Sequence, residues 1–176
     1  QAYCFQRPGE TRTMEWTELS LDKALWNIPA GKMKMRRDHE VPLPRQAVAI
    51  LKKIRFITGE SRFVFPSMRN FFRPLSENAM NSALRRMGFR SDEHCSHGFR
   101  ATANTLLTNL GKDERVIERM LAHVEENETK RAYNRAQLWS DRVETGQFWA
   151  DYLDSLREEG PTKKGVRYDN PWMELL

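Results

Sequence analysis

Cysteine is scarce, with two among 176 residues, Cys4 and Cys95. Two are too few for a disulfide framework or a structural zinc site, and both read as ordinary buried thiols. Long apolar runs are missing as well. The longest, Ala47–Leu51, falls far short of the roughly 18 residues that a membrane span needs. No charged-then-apolar leader opens the chain. A glycine-rich phosphate loop is also lacking, since Arg7-Pro8-Gly9-Glu10 fits neither nucleotide-binding pattern. These absences argue against a membrane protein, an ATPase and a nicotinamide enzyme. They predict a soluble cytoplasmic domain that needs no cofactor.

The length suffices for one well-buried domain. The opening Gln1-Ala2-Tyr3-Cys4-Phe5 lacks an initiator Met and a helix cap before an apolar stretch. It reads as the cut end of an element, so the chain is expected to be a C-terminal piece of a longer protein.

Charge is unevenly spread. Lys plus Arg number 29 against 24 acids, for a net +5. Lys32–Arg55 alone holds eight cations and two anions, a surplus of +6, so the remainder nets −1. Such a segment suits a polyphosphate partner that releases counterions on binding; a solvated basic face is the equal alternative.

The pattern predicts a mainly α-helical α+β domain with a small antiparallel sheet near its N-terminus. Glu15–Leu21 and Ala24–Ile28 flank a turn at Asp22-Lys23. Lys32-Met33-Lys34-Met35 alternates, and Glu40–Leu43 follows a polar tip at Arg36–His39. This second hairpin would complete about three strands, with Lys34 on the sheet. Helices are then expected through Ala47, Leu51 and Ile54, and from Ser76 to Gly88. Others are expected from Ser96 to Gly111, from Asp113, and from about Lys130 to Arg157. Phe63–Ser67 is a short apolar piece, Glu125–Thr129 a polar loop, and Gly160–Gly165 a linker before an apolar tail.

Several side chains carry chemistry. His97 and Arg100 are three apart at a helix start, so both can face one anion. His123 follows a helix end, where a histidine commonly serves as a C-terminal contact. Tyr133, in Lys130-Arg131-Ala132-Tyr133-Asn134-Arg135, is either an amphipathic surface residue or a nucleophile eased by nearby cations. Arg7 and Glu10 form either a surface ion pair or part of a site. In His94-Cys95-Ser96-His97, adjacent His and Cys fit one tetrahedral ion poorly, so no metal is expected.

Taken together, the order Arg, Lys, His-x-x-Arg, His, Tyr resembles the tyrosine recombinase (phage integrase) family. The strings Arg7–Glu10, Met33–Arg37 with His39 and Val41–Leu43, His97–Thr102, Leu121–Glu125 and Ala132–Ala136 look like integrases of satellite prophages and genomic islands. The resemblance runs from Arg7 to about Leu156. Thr11 departs from it, standing where these integrases commonly carry an apolar residue.

The resemblance implies a catalytic domain at residues 1–157 with a tail at 158–176, the core-binding and arm-binding domains lying outside the chain. Tyr133 would attack a DNA phosphate to leave a 3′-phosphotyrosine, with Arg7 and Arg100 clamping the phosphate. Lys34 would protonate the leaving 5′-oxygen, His97 and His123 would assist, and Glu10 would support the site. Lys32, Arg36, Arg37 and Arg135 are expected to contact DNA. The implied partners are double-stranded attachment sites, further protomers in a synaptic tetramer and a direction-control protein, with no membrane. Within enzymes the alternative is a type IB topoisomerase-like activity. Outside them, it is a DNA-binding protein of the same fold that does not cleave.

Overall fold

A computed structural model describes residues 1–123 and 135–158. The elements are α1 (Pro8–Arg12), β1 (Leu19–Ser20), β2 (Leu25–Ile28), β3 (His39–Pro42), α2 (Arg45–Thr58), β4 (Pro66–Ser67), β5 (Asn70–Pro74), α3 (Ala79–Arg86), α4 (Gly98–Asn109), α5 (Glu114–Met120) and α6 (Arg135–Glu158). The expected α+β class, rich in helix with a small antiparallel sheet near the N-terminus, is what is observed. Tyr133, the Glu125–Thr129 segment and the 161–176 tail lie outside the described residues.

The sheet is three-stranded in the order β1-β2-β3. Period-2 alternation decides its faces: Trp26 and Ile28 of β2 point inward while Asn27 is exposed. Opposite them, Val41 pairs with Trp26 and His39 with Ile28. Trp26, Ile28 and Val41 join Met14, Met33, Leu43, Ala47, Leu51 and Val64 in one apolar cluster under α2. A second cluster, Phe5, Ala103, Leu107, Val116, Ile117, Met120, Leu121 and Trp149, is built by α4, α5 and α6.

Lys34 is not on the sheet. The expected strand at Lys32–Met35 is replaced by a 3-10 turn at Ala30–Lys32 followed by an irregular connection into β3. The alternation that suggested a strand is not kept, because Met33 is buried while Lys34 and Met35 are both exposed. The chain bends because Lys32 folds back: its ammonium donates to the Thr13 carbonyl at 2.6 Å and pairs with Glu15 at 2.9 Å and with Glu18.

A short ribbon of β4 and β5 arises where only an apolar piece at Phe63–Ser67 is expected. The helix expected from Ser76 begins at Ala79, with Asn78 before it, and the one expected from Ser96 begins at Gly98 behind His97. Asp113 caps α5 as expected, its side chain accepting from the Arg115 backbone N–H at 2.8 Å. The two cysteines differ from expectation. Cys4 is half-buried and Cys95 is exposed, because Ser96 takes the buried place in that turn.

The ends of α3, α4 and α5 follow one pattern. Gly88 and Gly111 end α3 and α4 at φ of 96° and 74°, with the following residue's N–H returning to the last turn in each case. The same geometry ends α5, but Ala122 occupies the left-handed position at φ 51°. Its N–H donates to Arg119 and that of His123 to Glu118, at 3.2 and 3.0 Å.

Candidate active site

The site is assembled at the seam between the two apolar clusters. Arg7 precedes Pro8, which fixes it in extended conformation at the start of α1. The buried Glu10 carboxylate then accepts from both the Arg7 backbone N–H and its guanidinium, each at 2.9 Å. Arg7 is thereby held in place while a quarter of its side chain stays accessible.

Arg100 lies in the first turn of α4 and is buried. Its Nη2 donates to the Leu121 carbonyl at the end of α5, while its Nη1 has no hydrogen-bond partner among the described residues. Burial, with the neighbouring Arg7 charge second, brings the Arg100 pKa down to about 10; Glu10 and Glu118 oppose that shift. The two guanidiniums therefore repel each other in a shared, partly desolvated place. A dianionic or monoanionic oxygen cluster would relieve both the repulsion and the unpartnered nitrogen.

His123 leaves α5 through the Ala122 turn, with Nδ1 2.6 Å from the Glu118 carboxylate. The C-terminal contact open to a histidine after a helix is thus made by its backbone N–H, and the ring is left half-exposed beside Glu118. His97 is exposed at the residue before α4, three positions from Arg100. The glycine after it has a reason in space: a Cβ at Gly98 would lie 3.0 Å from the His94 ring. His94 itself packs edge-on against Phe99, their centroids 4.5 Å apart.

The remaining expected site residues are distributed as follows. Lys34 is exposed in the β2–β3 connection, as are Arg36 and Arg37; its ammonium has no ion pair or hydrogen bond among the described residues. Lys32 is no free cation, being held between Glu15 and Glu18. Arg135 opens α6, and Tyr133 lies outside the described residues. The structure pairs Arg7 with Glu10 and His123 with Glu118, and Arg100 feels the charges of Arg7, Glu10 and Glu118.

Sequence reasoning passed over Gln6, Glu118 and Arg142. Arg142 is buried on α6 and donates to the Glu40 carbonyl. One signal for it was available: a cation at 142 shares an inward stripe with Thr145 and Trp149.

This is an α+β domain in which a buried arginine, with one guanidinium nitrogen unpartnered among the described residues, feels the charge of a second arginine, an arrangement suited to an oxyanion. The comparisons narrow that reading. The model of the phage integrase family matches residues 1–138, and the chain belongs to this family. It is 40% identical to prophage integrase IntA of Escherichia coli strain K12 over 153 residues, covering 87% of this chain and 37% of that protein. It is 36% identical to the integrase of Enterobacteria phage P4 over 191 residues, covering 96% and 44%. The XerA recombinase structure superposes with a TM-score of 0.59 at 17% identity, over 92% of this chain and 56% of that one, a likeness of fold. The chain thus spans about two-fifths of the length of these curated relatives.

Proposed function

We propose that residues 1–157 are the catalytic domain of a site-specific DNA recombinase, which cuts and rejoins strands through a 3′-phosphotyrosine, and that 158–176 form a tail that engages a neighbouring protomer. The observation that carries this reading is the Arg100 guanidinium, buried within reach of the Arg7 charge and with Nη1 unpartnered among the described residues. Phosphodiester attack builds charge on oxygens fixed in space, which paired arginine forks match.

In the proposed step the Tyr133 oxygen attacks phosphorus while its proton passes to His97. The bond from phosphorus to the 5′-oxygen breaks, and that oxygen takes a proton from Lys34. Arg7 and Arg100 hold the non-bridging oxygens, and His123 adds a hydrogen bond in the transition state. One phosphodiester is exchanged for another, so the strand can be rejoined by the reverse reaction without an energy source. Arg36, Arg37 and Arg135 are assigned to the DNA backbone. Lys32 is instead assigned to shaping the connection that carries Lys34. Integration or excision of a mobile element, at double-stranded attachment sites, within a tetramer and under a direction-control protein, completes the proposal.

The test is covalent capture on a pool of randomised duplexes with a 5′-bridging sulfur at the cleavable phosphates. The wild-type chain is expected to become linked to DNA, and Tyr133→Phe to bind without linking. Lys34→Ala should fail on ordinary duplexes yet link to the sulfur substrate, because a thiol of pKa about 8.5 leaves without a donated proton. Linkage that survives in Tyr133→Phe, or none in the wild type, would refute the reading.

A further inference from the structure

The end of α5 gathers more donors than a helix terminus requires. The last carbonyls of a helix are orphaned and carry its negative end. Here two neighbouring ones serve three different segments. Leu121 accepts from Arg100 of α4. Met120 accepts from Gln6 Nε2 at 3.0 Å and from His39 Nε2 at 3.3 Å. Gln6 is 1% exposed and His39 8%, so water competes for neither bond. Gln6 also precedes Arg7 in the chain, and its amide makes a second bond to the Cys4 carbonyl at 3.0 Å.

We infer that Gln6 and His39 are positioning residues of the phosphate site. By fixing the Met120 carbonyl from two sides they hold the adjacent Leu121 carbonyl where it orients Arg100, and the turn from which His123 departs. Gln6 ties the same point to Arg7. The inference rests on the recombinase reading for its catalytic consequence, but its geometric content stands apart from it. His39 suits this task because it stays neutral: burial and the charges of Arg142, Arg119 and Arg100 hold its proton affinity down. A neutral ring bonded to a carbonyl must carry its proton on Nε2. The contact is thus a single N–H donor at the end of a strand, with no net charge to disturb the arginines.

The test compares His39→Leu, His39→Gln and Gln6→Leu in the full 176-residue chain, on the sulfur-containing duplex pool. His39→Leu is expected to slow covalent linkage about ten- to hundredfold through misplacement of the phosphate clamp, with duplex affinity unchanged. His39→Gln, which keeps an N–H donor, should recover most of that loss. A merely structural role would instead lower melting temperature and linkage together, with leucine and glutamine alike. Nitrogen-15 spectra of the guanidinium groups give a second readout without catalysis. The Arg100 signals should shift in His39→Leu and Gln6→Leu. Unshifted Arg100 signals overturn the inference even if the wild type forms no DNA link, whereas absent linkage with shifted signals refutes the recombinase reading alone. An unslowed His39→Leu overturns the inference while leaving that reading intact.

Discussion

At the residue scale the site is defined by polar groups that the fold buries without fully satisfying. Arg100 bonds to Leu121, and among the described residues its Nη1 has no partner. Ala122 sits in the left-handed region where Gly88 and Gly111 serve the neighbouring helices, a conformation that costs a non-glycine residue roughly 1–2 kcal/mol. Such strain gathers where a chain must aim a functional side chain, and the proposed site residue His123 follows it directly. His39 gives a pH-dependent consequence. Its pKa falls from an ordinary 6.5 to about 3, so between those values the unfolded chain binds the extra proton. Stability from this group is therefore full above pH 6.5 and declines as pH falls, by at most about 1.4 kcal/mol per unit. Urea midpoints measured from pH 7 to pH 4.5 should fall more steeply in the wild type than in His39→Gln. Equal slopes would show that His39 is accessible and freely titrating.

At the element scale, much of the fold can be read from apolar spacing. The hairpin at Asp22-Lys23, the Ala47–Leu51 stripe of α2 and the Asp113 cap follow from local chemistry that the structure shares. The β2–β3 connection is different. Its alternation at Lys32–Met35 mimics a strand, and partners that no local pattern connects to Lys32, the Thr13 carbonyl and the carboxylates of Glu15 and Glu18, hold it back from one. The network extends to Arg62, which donates to Glu15 through Nε at 2.8 Å and through Nη2 at 3.1 Å and, with Lys32, holds the Glu15 carboxyl below its usual pKa. Lys32→Ala is expected to destabilise the chain by about 1–3 kcal/mol, since two largely buried carboxylates lose their shared donor. The comparison is a melt with and without a duplex. Unchanged stability with weakened DNA binding would instead make Lys32 a direct DNA contact.

At the scale of the whole molecule, α6 acts as a mast. Its Trp149 packs against Phe5 and donates to the Ala2 carbonyl at 3.0 Å, while Gln147 accepts from the Arg45 backbone N–H at 3.0 Å. The N-terminal segment, α2 and the α4–α5 pair are thereby fixed to one rod, and Arg7 comes to lie beside Arg100 across 93 residues of sequence. The proposed site residues stand in the chain as an ordered set of motifs. Their support does not: Gln6 and Arg142 act through backbone carbonyls far away in sequence, as does His39, whose place in a motif does not show this contact, and a carbonyl leaves no trace in residue identity.

The central claim is that one phosphate fits between Arg7 and Arg100. The most direct measurement is a crystal structure of this chain soaked in inorganic phosphate. An anion bonded to both guanidiniums, including Arg100 Nη1, with His97 and His123 turned toward it, is the predicted result. Phosphate bound only at scattered surface cations, with Arg100 Nη1 still unpartnered, would contradict it.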